Sequence, residues 1–216
     1  MALSALLSAT LLLPACVPVL LAGAATGGVA VAVDRRSSGA QLDDKSIELR
    51  AGSFMRGMLP SNAHINVNSY NRKVLITGEV PRAEDKITAE RAIRTIPAVQ
   101  GVVNELAVQR ASALSERASD TWITTRVKSL YLNSRELSVS AISVMTERGV
   151  VYLMGLLTPG EGKRAAELAS GVPGVTKVVA LFETITVAQR DEILRVGPKD
   201  AVTPAPGLAS PAVTPP

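Results

Sequence analysis

The sequence holds one cysteine, one histidine and one tryptophan, and aromatic residues fill only 3% of its 216 positions. A single Cys excludes an intrachain disulfide framework and any all-Cys metal site. A single His, His64, excludes a His-rich metal cluster. An acid-base role for His64 would need a carboxylate or nucleophile beside it, and no local pattern supplies one. It opens the alternating segment HINVNSY and is read as structural. Charge of one sign is also scarce. The 23 Lys and Arg stand against 19 Asp and Glu, a net of +4 that nearly cancels within each candidate domain, so nucleic acid is not an expected partner. The length allows one or two small domains with modest cores.

The two ends read differently from the middle. The opening MALSALLSATLLLPAC is apolar, too short to span a bilayer alone, and stops at a small residue followed by Cys16. It resembles a bacterial lipoprotein signal, in which the Cys is lipidated and becomes the mature N-terminus. The pattern departs in having no Lys or Arg before Cys16, which fits a start further upstream, and in having Pro14 where a small residue is usual. The other reading keeps Cys16 inside an uncleaved anchor that runs on to Val33, although Pro18, Gly23, Gly27 and Gly28 make a poor spanning helix. At the far end GPKDAVTPAPGLASPAVTPP has prolines too frequent for a helix or a central strand and is expected to be a disordered tail.

Between the ends the chain repeats itself. KVLITGEVPRAEDKITAERA (Lys73–Ala92) lies over VVYLMGLLTPGEGKRAAELA (Val150–Ala169), placing Gly78 over Gly155; IPAVQGVV lies over VPGVTKVV, and SIELRAGSF over WITTRVKSL. Each copy parses as a helix (about Asp43–Met58 and Asp120–Leu132, with Asp as N-cap), then two alternating strands joined by a tight turn where Asn71 or Gly149 takes positive φ. A second helix follows Pro81 or Pro159 at its first turn, and a last strand, QGVVNELAV or TKVVALFETI, closes the unit. The expected fold class is α+β, two tandem αββαβ units, each with two helices on a three-stranded mixed sheet. The expected boundaries are a leader over 1–15, a linker over 16–42, units over 43–109 and 118–187 joined by a linker at 110–117, and a tail over 188–216.

No stretch reads as an active site. TPGEGK (Thr158–Lys163) resembles a phosphate loop, but Lys163 is followed by Arg164 rather than Ser or Thr, so it is read as a strand-to-helix turn. DEILR (Asp191–Arg195) is read as a solvated charged face. No cofactor, metal or catalytic residue is expected.

The αββαβ order, the strand-ending Gly78 and Gly155, and the hydrophobic-Pro-x-Val-x-x-Val closing segments resemble the BON domain of bacterial envelope proteins. Two copies behind a lipoprotein signal resemble the dual-BON outer-membrane lipoprotein family, to which DRRSSGAQLDD (Asp34–Asp44), DTWITTRVKS and GVVYLMGLLT are especially similar. The resemblance implies a non-enzymatic outer-membrane lipoprotein that faces the periplasm. It also implies that the second BON domain binds anionic, phosphatidylglycerol-like phospholipid, and that the protein supports envelope integrity and the outer-membrane protein assembly machinery. Val17, not Asp, after the lipidated Cys16 implies outer- rather than inner-membrane sorting in that pattern.

The single Trp can then be placed on its helix. At about 100° per residue, Ile123, Val127 and Leu130 share the core face, Trp122 lies a quarter turn or more to one side, and Arg126 follows one turn later on that flank. The first copy has Ser46 where the second has Trp122, so the fold does not demand an aromatic there. The phospholipid-binding set expected on this helix is Trp122, Thr125, Arg126, Lys128 and Leu132, with the indole at headgroup depth and the cations near phosphates. The competing reading packs Trp122 against the other domain or the linker. A triacylated Cys16 with a flexible stretch to Asp43 would have a reach of about 25–30 Å, which raises local lipid to roughly millimolar. A different class of function is a periplasmic adaptor that binds an outer-membrane assembly factor, with Trp122 at the interface.

Overall fold

The computed structural model describes residues 34–197. The expected leader, the lipidation site Cys16 and the tail beyond Gly197 lie outside the described residues. The first unit runs α1 (Ser38–Met58), β1 (His64–Tyr70), β2 (Lys73–Val80), α2 (Ala83–Arg94), β3 (Gly101–Asn104) and β4 (Ala107–Val108). The second runs α3 (Leu114–Leu132), a single 3-10 turn at Val139–Ala141, β5 (Ile142–Glu147), β6 (Val150–Leu157), α4 (Pro159–Ser170) and β7 (Lys177–Thr184), followed by α5 (Val187–Val196). Both sheets are mixed and put the middle strand of the repeat at the centre. The strand β2 pairs antiparallel with β1 and parallel with β3 and β4; β6 pairs antiparallel with β5 and parallel with β7.

The two tandem αββαβ units are those the repeat predicts, with differences at their edges. The first helix starts at Ser38 under a Ser37 cap rather than at Asp43, and α3 starts at Leu114 rather than at Asp120. The expected cap Asp43 instead accepts from Arg72 Nε (2.7 Å), and its neighbour Asp44, like Asp120, is spent on a hairpin turn. Asp44 accepts from the backbone N–H of Asn71 (2.8 Å) and Arg72 (2.7 Å), and Asp120 accepts from those of Arg148 and Gly149 (both 2.8 Å). Each helix thus holds down the hairpin turn of its own sheet. These turns have positive φ at both central residues, Asn71 and Arg72 in one copy and Arg148 and Gly149 in the other, the geometry that matches strand twist. Pro159 occupies the first turn of α4, whereas Pro81 stays outside α2, which begins after Arg82. The closing strand of the first unit is broken between β3 and β4, where the Asn104 amide turns away to the Lys86 carbonyl (2.9 Å). The expected linker at 110–117 is helical from Leu114, and the expected tail at 188 begins inside α5. That helix is capped by Thr186 and drops Ile193 into the core, so Ile193 is the residue of DEILR that departs from the solvated reading.

The central strands bury both faces, because the two sheets pack on each other. Val74, Ile76 and Val80 of β2 face α1 and α2, while Leu75 turns the other way. In β6, Val151, Leu153 and Leu157 face α3 and α4, while Tyr152, Met154 and Leu156 turn the other way. The outward sets meet in one shared cluster with Tyr70, Ile185 and Ile193. The molecule is therefore two sheets face to face with helices outside, and each fully buried large apolar side chain contributes about 1.5–3 kcal/mol. Polar cross-links frame the seam: Tyr70 Oη donates to the Ala141 carbonyl (3.0 Å), Asn66 to Glu147 (2.8 Å) and Asn71 to Glu183 (3.0 Å).

Residues 34–37, expected within a linker, fasten the two units together. Arg35 is 3% exposed and makes a bidentate pair with Glu161 (2.6 and 2.9 Å) while also donating to the Leu156 carbonyl (2.9 Å), all in the second unit. Glu161 at the same time caps α4 by accepting from the Thr158 N–H (2.8 Å). Burial pushes the Glu161 carboxyl up, but the Arg35 and Thr158 hydrogen bonds outweigh it and hold it below the usual carboxylate range. Arg36 turns to the first unit, donating to Asp44 (2.8 Å) and lying 4.3 Å over the Tyr70 ring.

Candidate functional site

The third helix presents two faces of opposite character. Its buried side carries Asp120, Ile123, Val127 and Tyr131. Tyr131, not Leu130, completes the core face: it is fully buried and its hydroxyl donates to the Ala165 carbonyl (2.8 Å), while Leu130 is only partly buried at the margin. The pattern reading passed over Tyr131 because an aromatic with a polar end has no clear preference for inside or outside until a carbonyl partner is in place.

The outer side carries the residues expected to touch lipid. Trp122 is 53% exposed and Leu132 69%, and Thr125, Arg126 and Lys128 are exposed as well. Neither Arg126 nor Lys128 makes an ion pair among the described residues, unlike exposed cations such as Arg94, Arg110 and Arg195. The Thr125 hydroxyl is engaged with its own helix, donating to the Thr121 carbonyl (2.9 Å). Five residues expected as one set divide by angle. Trp122 and Arg126 share one outward flank, whereas Lys128 and Thr125 turn toward the other, where with Thr124 they border a groove of about 480 Å³ shared with His64 and Asn66 of the first unit; Leu132, exposed at the helix end, lies nearer in rotation to Lys128 than to Trp122.

The repeat supplies an internal control. The equivalent hairpin aspartates Asp44 and Asp120 fix the helix register, so Ser46 corresponds to Trp122, Ile47 to Ile123 and Arg50 to Arg126. The core positions match in kind and the outward position does not. The indole is not one of the side chains that fill the seam between the sheets, which is built from Tyr70, Leu75, Tyr152 and Met154 among others.

At the floor of the groove the structure collects groups that are distant in sequence. His64, read as having no local partner, sits 3.9 Å from Glu147, and Asn66 lies between them. Burial, then the nearby Arg117, pushes the His64 imidazole down. Burial pushes the Glu147 carboxyl up to about 6 against the opposing Asn66 hydrogen bond. No signal local to either residue could have revealed this neighbourhood, since it exists only once the sheets have packed.

Comparison with known proteins agrees with this architecture. The model of the BON domain matches residues 43–110 and again 119–186. The chain is 33% identical over 183 residues to the outer membrane lipoprotein DolP of Haemophilus influenzae, covering 84% of this chain and 94% of that protein. It is 34% identical over 155 residues to the 21 kDa hemolysin of Actinobacillus pleuropneumoniae, covering 71% of this chain and 80% of that one. Among solved structures, the C-terminal domain of CdsD from the type III secretion system of Chlamydia trachomatis covers 64% of this chain at 9% identity, with a TM-score of 0.29 that carries no argument. With two complete repeats, two matched segments and a DolP relative aligned along most of both chains, this chain belongs to the BON-domain family as a dual-BON, DolP-like protein.

Proposed function

We propose that this chain is a non-enzymatic outer-membrane lipoprotein, anchored through Cys16 and facing the periplasm, whose second BON domain engages anionic phospholipid through the outer face of α3. The observation that carries the reading is the half-exposed Trp122 on a helix whose inner face is already filled, with Arg126 on the same outward side and no acidic partner. Among the described residues no helix is long and apolar enough to cross a membrane. In this reading the lipid anchor at Cys16 gives residence and α3 selects the surface. The name of the DolP relative supports the location and the lipid anchor; support of outer-membrane protein assembly rests on the family resemblance alone.

Vesicle binding by the chain tests the reading. Trp122→Glu should cost the fold no more than about 1 kcal/mol, as a surface substitution. It should nevertheless weaken binding to phosphatidylglycerol vesicles at least tenfold, by roughly 1.4 kcal/mol. Arg126→Glu removes one basic residue and adds an acidic one, about 2 kcal/mol or roughly thirtyfold on anionic vesicles and little on neutral ones. Because Trp122 is the only Trp, its emission reports directly, and the absence of a blue shift on adding anionic vesicles would reject the site. Binding that ignores headgroup charge but persists with an outer-membrane assembly factor would favour the adaptor reading. For the anchor, Cys16→Ser should give a mature protein without acyl mass and without outer-membrane residence; an unmodified Cys16 in the wild-type protein rules lipidation out.

A further inference from the structure

Two buried glutamates and the only histidine meet at the seam. His64 and Glu79 are cross-strand partners at the end of the β1–β2 ladder, and Glu147 ends β5 in the other unit. One ligand atom from each lies within 4.8 Å of the other two. Glu79 is fully buried, and Glu147, 6% exposed, meets water only at the floor of the groove. Neither is fully compensated. Glu147 receives one hydrogen bond, from the neutral Asn66 amide, and has His64 as its one ion-pair neighbour. Glu79 accepts from the Ser112 N–H (2.9 Å) through Oε2, while Oε1 has only Arg148 at 3.4 Å. Arg148 has another acceptor: with the Gln109 amide oxygen turned toward it, its Nη1 and Nε donate at 3.1 and 2.9 Å. Two largely buried carboxylates beside an imidazole, with a long Arg148 contact (3.4 Å) as the ion pair of Glu79, leave acceptor capacity for a further cation.

We propose that His64, Glu79 and Glu147 bind one divalent transition-metal cation of the zinc type, joining the two BON domains at their seam. An imidazole nitrogen with two carboxylate oxygens is a set that suits Zn²⁺, whereas Ca²⁺ and Mg²⁺ take oxygen ligands and have no use for the imidazole. The ligands stand on strand ends, so their backbones are fixed by the ladder. The groove lined by His64, Asn66, Thr124 and Glu147 gives the cation an entry path and leaves room for water at the fourth position. Asn66, 3.2 Å from His64 Nε2, gives up that contact to the metal and keeps Glu147 oriented. The guanidiniums of Arg117 and Arg148 border the site, opposed in part by Asp120. Three ligands with these cations nearby make the site weaker than a four-ligand structural zinc.

Calorimetric titration of the untagged, chelator-treated full chain with ZnCl₂ near neutral pH decides the matter. The expected result is one saturable equivalent and a higher unfolding midpoint with metal than without. His64→Ala and Glu147→Gln should each weaken binding at least tenfold, since loss of even an outer-shell partner costs about 10–100-fold. Unfolding midpoints of the metal-free variants show that they are folded. Co²⁺ replacing Zn²⁺ should give a visible spectrum that differs from aqueous Co²⁺ and is abolished by the same changes. Should Glu147→Gln fail to fold, the Co²⁺ spectrum of His64→Ala alone decides. No saturable zinc binding by the wild-type chain, or binding undiminished in His64→Ala, overturns the proposal.

Discussion

Gly78→Ala is expected to lower the unfolding free energy by about 3–5 kcal/mol, among the largest effects of any single methyl added to this chain. A Cβ at Gly78 would stand 2.1 Å from the His64 carbonyl oxygen and 2.9 Å from its carbon, both backbone atoms that no rotamer change can move. Residue 78 also has φ +114°, where L side chains are strained by about 1–2 kcal/mol. Relief requires β1 to part from β2 at the Ile65 pairing, and β2 is the strand that carries packing on both its faces. The second copy offers a graded comparison. At Gly155 the added carbon would meet the Ala141 carbonyl oxygen at 2.6 Å without a left-handed backbone, so Gly155→Ala should cost less. Urea unfolding of both variants checks the order; equal losses, or losses under about 1 kcal/mol, would mean that the strand approach yields easily.

Asp44→Ala is expected to cost about as much, at least about 3 kcal/mol, for a different reason. The Asp44 carboxylate, 1% exposed, accepts from the N–H groups of Asn71 and Arg72, from Ser69 Oγ (2.6 Å) and from Arg36 (2.8 Å). Alanine leaves two turn amides and a serine hydroxyl without their acceptor, and hydrogen bonds to a charged partner are worth about 1.5–3 kcal/mol each. Asp120→Ala loses only the two turn contacts in the second unit and should be milder. Hydrogen exchange gives the specific signature: the amides of Asn71 and Arg72 should lose protection in Asp44→Ala well before those of Leu75 and Ile76. Uniform loss across the sheet would show that the carboxylate acts on the whole unit rather than on the turn.

Much of this architecture could be read from the chain because it is written twice. Alternation marked the strands, and the overlay of Gly78 on Gly155 marked equivalent positions near the ends of β2 and β6, although not the close backbone approach found there. The outer face of α3 was legible for a similar reason, since Ser46 opposite Trp122 separates what the fold needs from what it does not. What could not be read was everything that depends on partners remote in sequence. Asp43 and Asp120 looked like helix caps because a cap is the local use for an Asp, and the hairpin role of Asp44 and Asp120 needs a turn 27 to 29 residues away. Lys128 looked like a neighbour of Trp122 in sequence although helical rotation carries it to the other flank. The meeting of His64, Glu79 and Glu147, and the burial of Ile193 in what looked like a tail, arise only when two sheets close on each other.

Arg35 also determines where a mechanical load would enter the molecule. A pull on the chain upstream of Asp34 meets, before it reaches α1, a guanidinium gripped by two carboxylate oxygens at the start of α4 and by the Leu156 carbonyl. Force is therefore divided at adjacent residues, across the Arg35–Glu161 pair into the second domain and across the Arg36–Asp44 pair into the first. Held by its leading end, the protein loads both domains within one step of the chain, although they follow one another in sequence.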